Sequence, residues 1–260
     1  LVMDEIDGTP TKEPAFGLEA LWIDGTQKED AIMRGYTVVD PATVISTHMS
    51  ELVKKFAEEL LTRQDVATLM DKFAEDYPIV VEDVKKIAHN GMILQVLKAL
   101  LHEKIPIKDF LSILETVADV VPHVGNNVDV VVEQVRARLA RVITQMFKDG
   151  DGILKLLTFS TKTEQYLLDK LRDQQGQREL ILNVNDMNTL IKEVSDEAQK
   201  ILQKGIAPVV IITDPLLRKA MASRFEQFGL DVVVLSHAEI DSSAKFEVMG
   251  TIEVDFGGNK

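Results

Sequence analysis

The chain has 260 residues, of which 45% are hydrophobic and 27% are charged, as is ordinary for a globular protein. Its 29 basic and 42 acidic side chains give a formal net charge of −13. This charge argues against binding to nucleic acid or to anionic membrane surfaces, because both require a surplus of Lys and Arg. The absence of cysteine excludes disulfides, thiolate metal sites and a cysteine nucleophile. At about 150 residues per domain, the length predicts about two domains.

The first 40 residues combine turn signals with short apolar runs. The runs at 20–23 and 36–39 are each short enough for a strand, and residues 27–34 favour a connecting helix. We therefore expect a small α/β piece that contains the single tryptophan.

Residues 41–61 have the pattern of an amphipathic helix. Asp40 is a natural N-cap and Pro41 fits the first helical position. Thr47 is expected to face solvent and Val44 to lie on the border between the two faces. The apolar face is predicted to carry Ile45, Met49, Leu52, Val53, Phe56 and Leu60.

Residues 63–150 keep a helical periodicity, interrupted by proline and by Asn-Gly turn signals. The last helix of this helical domain is predicted over 130–146. From residue 151 the pattern changes to alternating strands and helices, which predicts a C-terminal α/β domain with a mainly parallel sheet. Strands are expected at 153–157, 207–213, 232–236 and 246–254, and helices at 163–174, 185–202 and 216–228.

The sequence contains no strong catalytic or cofactor motif. It has no glycine-rich phosphate loop and no GxSxG, and its five histidines match no metal-binding spacing. We therefore expect no cofactor, no metal and no enzymatic activity. One alternative is an α/β small-molecule-binding enzyme that uses the crevice near Asp214, where a buried strand ends. Asp214 would repel an anion there, and helix capping explains the residue better.

The loop at 13–18 places an aromatic side chain and a leucine among turn residues, beside an acidic residue. Phe16 and Leu18 are suited to the core of the small piece, which is the ordinary interpretation of such residues. They are also compatible with an exposed apolar recess that Glu13 borders, a common feature of protein-docking sites. Spacing alone leaves both interpretations open.

Several segments together resemble the C-terminal cytoplasmic region of the flagellar export-gate family FlhA (FHIPEP family), large membrane proteins of the flagellar type III secretion system. The resemblance is strong to about residue 145 and looser beyond. The matching segments are EPAFGL (13–18), ALWI (20–23), GYTVVDPATV (35–44), STH (46–48), LLTRQ (60–64), LKALL (97–101), IPIKD (105–109), ILET (113–116) and ARVITQ (140–145).

This resemblance implies a multi-subdomain α/β architecture. Residues 1–40 correspond to the remainder of a small inserted α/β subdomain, and residues 41–62 to a helix of an incomplete thioredoxin-like subdomain. Residues 63–150 correspond to a helical subdomain and residues 151–260 to a C-terminal α/β subdomain. Compared with the family, the chain begins inside the inserted subdomain, so that the membrane part, the linker and the opening strands are absent.

The resemblance also implies a non-enzymatic binding function. Members of the family form a nine-membered ring, bind export chaperones with their cargo and bind soluble components of the export ATPase complex. They contact the bacterial inner membrane only through the N-terminal part. The chaperone-binding residues that the resemblance implies here are Glu13, Phe16, Leu18, Val39, Asp40, Val44 and Thr47, with Glu13 in place of the family's common Asp. The related gate of a virulence-type secretion system (injectisome) is the other family member to consider.

Overall fold

The computed structural model describes residues 6–174 and 177–257, with the side chains of Gln174 and Gln177 excepted. The outer ends of the first and last predicted segments, residues 1–5 and 258–260, lie outside this description. The chain forms two compact units, Leu1–Thr62 and Arg63–Lys260.

The first unit is a hairpin followed by helices. Strands β1 (Thr9–Lys12) and β2 (Glu19–Trp22) pair antiparallel, with Lys12 opposite Glu19. A short 3-10 helix (Gly25–Gln27) leads into α1 (Lys28–Met33), and α2 (Pro41–Lys55) and α3 (Ala57–Leu60) follow. Ala31 is the only buried residue among those described in this unit.

Two predictions for this unit are wrong. The run at 36–39 is not a strand but a loop between α1 and α2, since no described strand pairs with it. The helix predicted over 41–61 is interrupted at Phe56, where the backbone (φ −107°, ψ 17°) leaves the helical region and separates α2 from α3.

The second unit begins with six helices. They are α4 (Arg63–Asp76), α5 (Pro78–Ile87), α6 (Asn90–His102), α7 (Phe110–Val124), α8 (Val128–Arg138) and α9 (Ala140–Phe147). Each buries at least two side chains, with five buried in α6 and six in α7. The helix predicted over 130–146 is in fact α8 and α9, which are separated at the buried Leu139.

The helices lead into a four-stranded parallel sheet of order β7-β6-β3-β8. Its strands are β3 (Ile153–Phe159), β6 (Val209–Thr213), β7 (Val232–Ser236) and β8 (Lys245–Ile252). All five residues of β6 are buried, as its unbroken apolar run predicts. The mainly parallel sheet and the α/β class are therefore confirmed.

Three helices and a hairpin connect these strands. They are α10 (Thr161–Asp169), β4 (Leu171–Gln174) paired with β5 (Gln177–Leu180), α11 (Val184–Gln203) and α12 (Pro215–Gln227). The helix predicted over 163–174 therefore ends early. Residues 171–174 form a strand that pairs with β5 instead. Their mostly polar composition does not predict this pairing. None of the described helices combines the length and the apolarity needed to cross a membrane.

Candidate docking site

The loop between β1 and β2 is held in shape by its own acidic residue. Glu13 Oε1 accepts a hydrogen bond from the N–H of Ala15 (2.9 Å), and Oε2 accepts one from the N–H of Phe16 (2.7 Å). The backbone of Glu13 also pairs with Gly17 and Leu18, both at 2.8 Å. Gly17 has φ 70°, a left-handed conformation that glycine adopts without strain. Both oxygens of Glu13 therefore bind the loop itself.

This arrangement presents apolar side chains to solvent. Phe16 is 62% exposed and Leu18 is 63% exposed. Neither belongs to a core in this chain, so the interpretation of Phe16 as a core residue finds no support in the structure. Hydrogen bonds within the turn, rather than burial, fix the backbone that carries the two side chains.

The second group of predicted residues lies at the start of α2. Asp40 is the N-cap: its Oδ1 accepts from the N–H of Thr43 (2.8 Å) and its Oδ2 from the Thr43 hydroxyl (3.0 Å). These bonds from Thr43 favour the carboxylate and hold the pKa of Asp40 below its ordinary value. Asp40 therefore fixes where the helix begins and carries a negative charge at its N-terminus.

The remaining predicted residues flank this cap. Val39 precedes it and is 50% exposed, while Val44 and Thr47 follow one and two turns later and are half-buried. Val44 and Thr47 are three residues apart and therefore share one side of the helix. The seven predicted residues thus fall into a loop group and a helix-start group on different elements of the first unit.

The exposure of α2 differs from the prediction. Ile45 is 65% exposed and Met49 is 58% exposed, whereas Thr47, expected to face solvent, is half-buried. No residue of α2 is buried. Periodicity identified the apolar stripe correctly, but it could not show that nothing among the described residues covers it. The stripe adds apolar surface that the sequence assigned to a core.

At the strand end near Asp214, the alternative ligand site, two carboxylates of the protein make hydrogen bonds. Asp214 caps α12 by accepting from the N–H of Leu216 (2.7 Å), as predicted. Glu164 Oε1 accepts from the Thr213 hydroxyl (3.0 Å) and from the N–H of Asp214 (2.8 Å) at the same strand end. Two carboxylates therefore lie where an anionic ligand would bind. Among the described residues, no cluster of His, Asp and Glu has an arrangement suited to a metal ion.

The chain belongs to the FHIPEP family, whose model matches residues 1–245. It is 58% identical over 252 residues to the flagellar biosynthesis protein FlhA of Helicobacter pylori, covering 97% of this chain and 34% of that protein. It is 33% identical to FlhA of Bacillus subtilis, covering 96% of this chain and 37% of that protein. The chain thus spans about a third of the length of these curated relatives. The resemblance noted from the sequence is confirmed.

Solved structures support the same fold. The Chlamydia pneumoniae CdsV protein, in its complex with CdsO, matches 90% of this chain and 68% of its own, with a TM-score of 0.75 and 21% identity. A nonameric EPEC SctV-C structure matches 96% of this chain and 75% of its own, with a TM-score of 0.70 and 20% identity. At these identities the likeness shows the fold alone.

Proposed function

We propose that this chain is a docking part of the cytoplasmic region of a bacterial flagellar protein-export gate, and that it binds export chaperones carrying their cargo without performing chemistry. Family membership supports the export-gate assignment, and the 58% identity to a flagellar relative favours the flagellar over the virulence-type system. In this proposal the gate resides in the inner membrane, to which this chain is attached through the remainder of the longer protein.

The observation that carries the docking proposal is the exposed apolar pair on an ordered loop. Phe16 and Leu18 would supply apolar contact, and an apolar anchor that is already held in place loses little freedom when a partner binds. Glu13 would act mainly by keeping the loop in shape, because both of its oxygens accept bonds from that loop. This role differs from the direct polar contact that the resemblance implies.

The helix-start group would form the second part of the site. Val39 and Val44 offer further apolar surface, Thr47 a hydroxyl and Asp40 a negative charge at a helix N-terminus. A modest interface of this kind suits cargo transfer, because weak partners dissociate quickly.

Titration with purified flagellar chaperone–cargo complexes tests this proposal. We expect saturable binding by calorimetry to the 260-residue chain and weaker binding by cargo-free chaperone. Absence of binding to any flagellar chaperone–cargo complex would contradict it. Tighter binding of an injectisome chaperone than of a flagellar one would instead support the virulence-type gate.

We also propose that the chain associates with copies of itself in a ring and contacts soluble components of the export ATPase complex. The nonameric SctV-C structure and the CdsV–CdsO complex motivate both parts, since those proteins share this fold. Light scattering across a concentration series tests the first part: the mass should rise toward nine copies. A mass that stays monomeric at all concentrations would argue against ring formation by this chain alone.

A further inference from the structure

Five charged side chains meet where the helices α4–α9 contact the α/β part of the second unit. Glu103 follows α6, Glu133 and Arg136 lie on α8, Arg218 lies on α12, and Glu239 lies in a short 3-10 helix (His237–Glu239) after β7. Arg136, Arg218 and Glu239 are each at most 1% exposed. We call this set the junction ion network.

Arg218 makes the densest contacts in the junction ion network. Its Nε lies 2.6 Å from Glu133 Oε2, its Nη2 contacts the other oxygen of Glu133, and its Nη1 lies 2.6 Å from Glu103 Oε2. The guanidinium of an α/β helix is therefore bound by two carboxylates of the helical part. A planar guanidinium group that donates to carboxylates on two sides has little rotational freedom.

Arg136 makes the reciprocal connection from the helical part. Its Nε lies 2.5 Å from Glu239 Oε1 in the α/β part, and its Nη1 lies 3.1 Å from Glu103 Oε2. Glu239 Oε2 in turn accepts from the N–H of Ser236 (2.6 Å). The two arginines thus cross the junction in opposite directions, and Glu103 contacts both.

Glu103 favours its charged form despite its burial. Burial opposes the charge on Glu103, but Arg218 and then Arg136 outweigh it and hold the pKa of that carboxyl below its ordinary value. Three carboxylates face two guanidinium groups. Glu103 Oε1 is buried without a hydrogen bond, and Arg136 Nη1 has only its ion-pair contact with Glu103.

Such an arrangement is a poor way to gain stability. Removing several ions from water costs more than their attraction returns unless every group is well paired, and packed apolar side chains are often as stable. A bidentate arginine such as Arg218 provides a defined direction, which apolar side chains do not, since its planar guanidinium donates to a carboxylate at one angle.

We propose that the junction ion network is a geometric lock, which holds the helical part and the α/β part of the second unit in one relative orientation. A protein bound on either part is then presented at a fixed angle to the other. The lock depends only on contacts inside the second unit, so it stands or falls independently of the docking proposal above.

Distance measurements between two spin labels test the lock in the full chain. Because the sequence lacks cysteine, Lys72→Cys on α4 and Lys192→Cys on α11 provide two unique, exposed labelling sites. The parent should show one narrow distance distribution. The variant Glu103→Leu/Glu133→Met/Arg218→Met removes one positive and two negative charges and leaves Arg136 paired with Glu239.

We expect this triple variant to melt at or near the parent temperature but to show a broadened or shifted distance distribution. An unchanged narrow distribution would overturn the lock. The matched control is Lys86→Met, which removes exposed ion pairs with Glu82 (3.0 Å) and Asp83 (3.3 Å) and should leave the distribution as in the parent.

If the triple variant does not fold, Arg218→Lys decides the question, because lysine keeps the charge but loses the fork. A broadened distribution in a folded Arg218→Lys protein supports the lock. A narrow one shows that charge alone, rather than fork geometry, suffices, and overturns it.

Discussion

In the first unit Ala31 is the only described residue that is buried, whereas every helix from α4 to α12 in the second unit buries at least two side chains. Thirteen of the 23 exposed large apolar residues among those described lie in the first unit, although it holds fewer than a quarter of the residues. Apolar surface of this extent on a small unit is typical of a region that contacts other protein surfaces.

The two units are also ordered by different means. Hydrogen bonds between side chains and the local backbone order the first unit: Glu13 shapes the hairpin loop, and Asp24 and Asp40 cap the 3-10 helix and α2. Burial orders the second unit, whose α/β core contains Leu157, Ile211 and Phe225. Local bonds fix a conformation but add little free energy, because water competes for each of them. The comparison therefore predicts that the same substitution destabilises the second unit strongly and the first unit little.

The largest expected effect is on stability, for one phenylalanine in each unit. Phe225→Ala removes a ring that is 1% exposed, and we expect it to lower the free energy of unfolding by about 3–5 kcal/mol. Phe16→Ala removes an exposed ring and should change that free energy by less than about 0.5 kcal/mol. Denaturant titration followed by circular dichroism measures the first change.

The single tryptophan allows unfolding of the first unit to be followed separately in this experiment. Trp22 lies on β2, so its fluorescence reports on the first unit. Units that unfold separately need separate probes. A loss of several kcal/mol from Phe16→Ala in the fluorescence transition would show that Phe16 is a core residue after all.

The next effect is on binding rather than folding. If Phe16 anchors a chaperone, Phe16→Ala should weaken binding of the chaperone–cargo complex by about 2 kcal/mol, roughly 30-fold. Phe246→Ala is the matched control, because Phe246 is similarly exposed (60%) but lies on β8 in the second unit. Calorimetric affinities for the two variants decide the matter. Equal losses from both would remove the reason for assigning the site to the first unit.

Glu13→Ala should have a smaller effect of the same kind. It removes the acceptor for the N–H groups of Ala15 and Phe16 while leaving the aromatic ring in place. We expect binding to weaken less than in Phe16→Ala and the loop amides to exchange hydrogen faster. Glu13→Gln, which keeps one acceptor oxygen, should lie between Glu13→Ala and the parent. Weaker binding with unchanged loop exchange would point to direct contact between Glu13 and the partner.

Patterns in the sequence predicted the elements that form through local signals. The N-caps at Asp40 and Asp214 and the buried run of β6 are each set by a few neighbouring residues, and the structure confirms them. The prediction of a strand at 36–39 was wrong because a strand does not depend on neighbouring residues alone. A strand exists only through a pairing partner, which the run itself cannot reveal.

The site shows the same division. Phe16 is exposed, and its N–H donates to Glu13 within the loop. The spacing of residues in the loop could not distinguish this exposed conformation from one in which Phe16 folds into a core. The sequence did not predict the junction ion network, since Glu103 and Arg218 lie 115 positions apart and each looks like a solvated charge in its own segment. Whether a charged residue is buried depends on tertiary packing. The periodicity of the sequence shows only that the residue lies outside the apolar face of its own element.

The smallest predicted effect concerns pH and the start of α2. The pKa of Asp40 is held below its ordinary value, so its cap stabilises the helix fully above the ordinary pKa of aspartate, about 4, and loses this contribution as the pH falls through the lower, folded value. Backbone chemical shifts of residues 41–45 should therefore move toward non-helical values only in that acidic range. Asp40→Asn also caps helices but does not titrate, so its shifts should stay constant there. A parallel acidic transition in the Asn variant would show that another group, and not Asp40, controls the end of this helix.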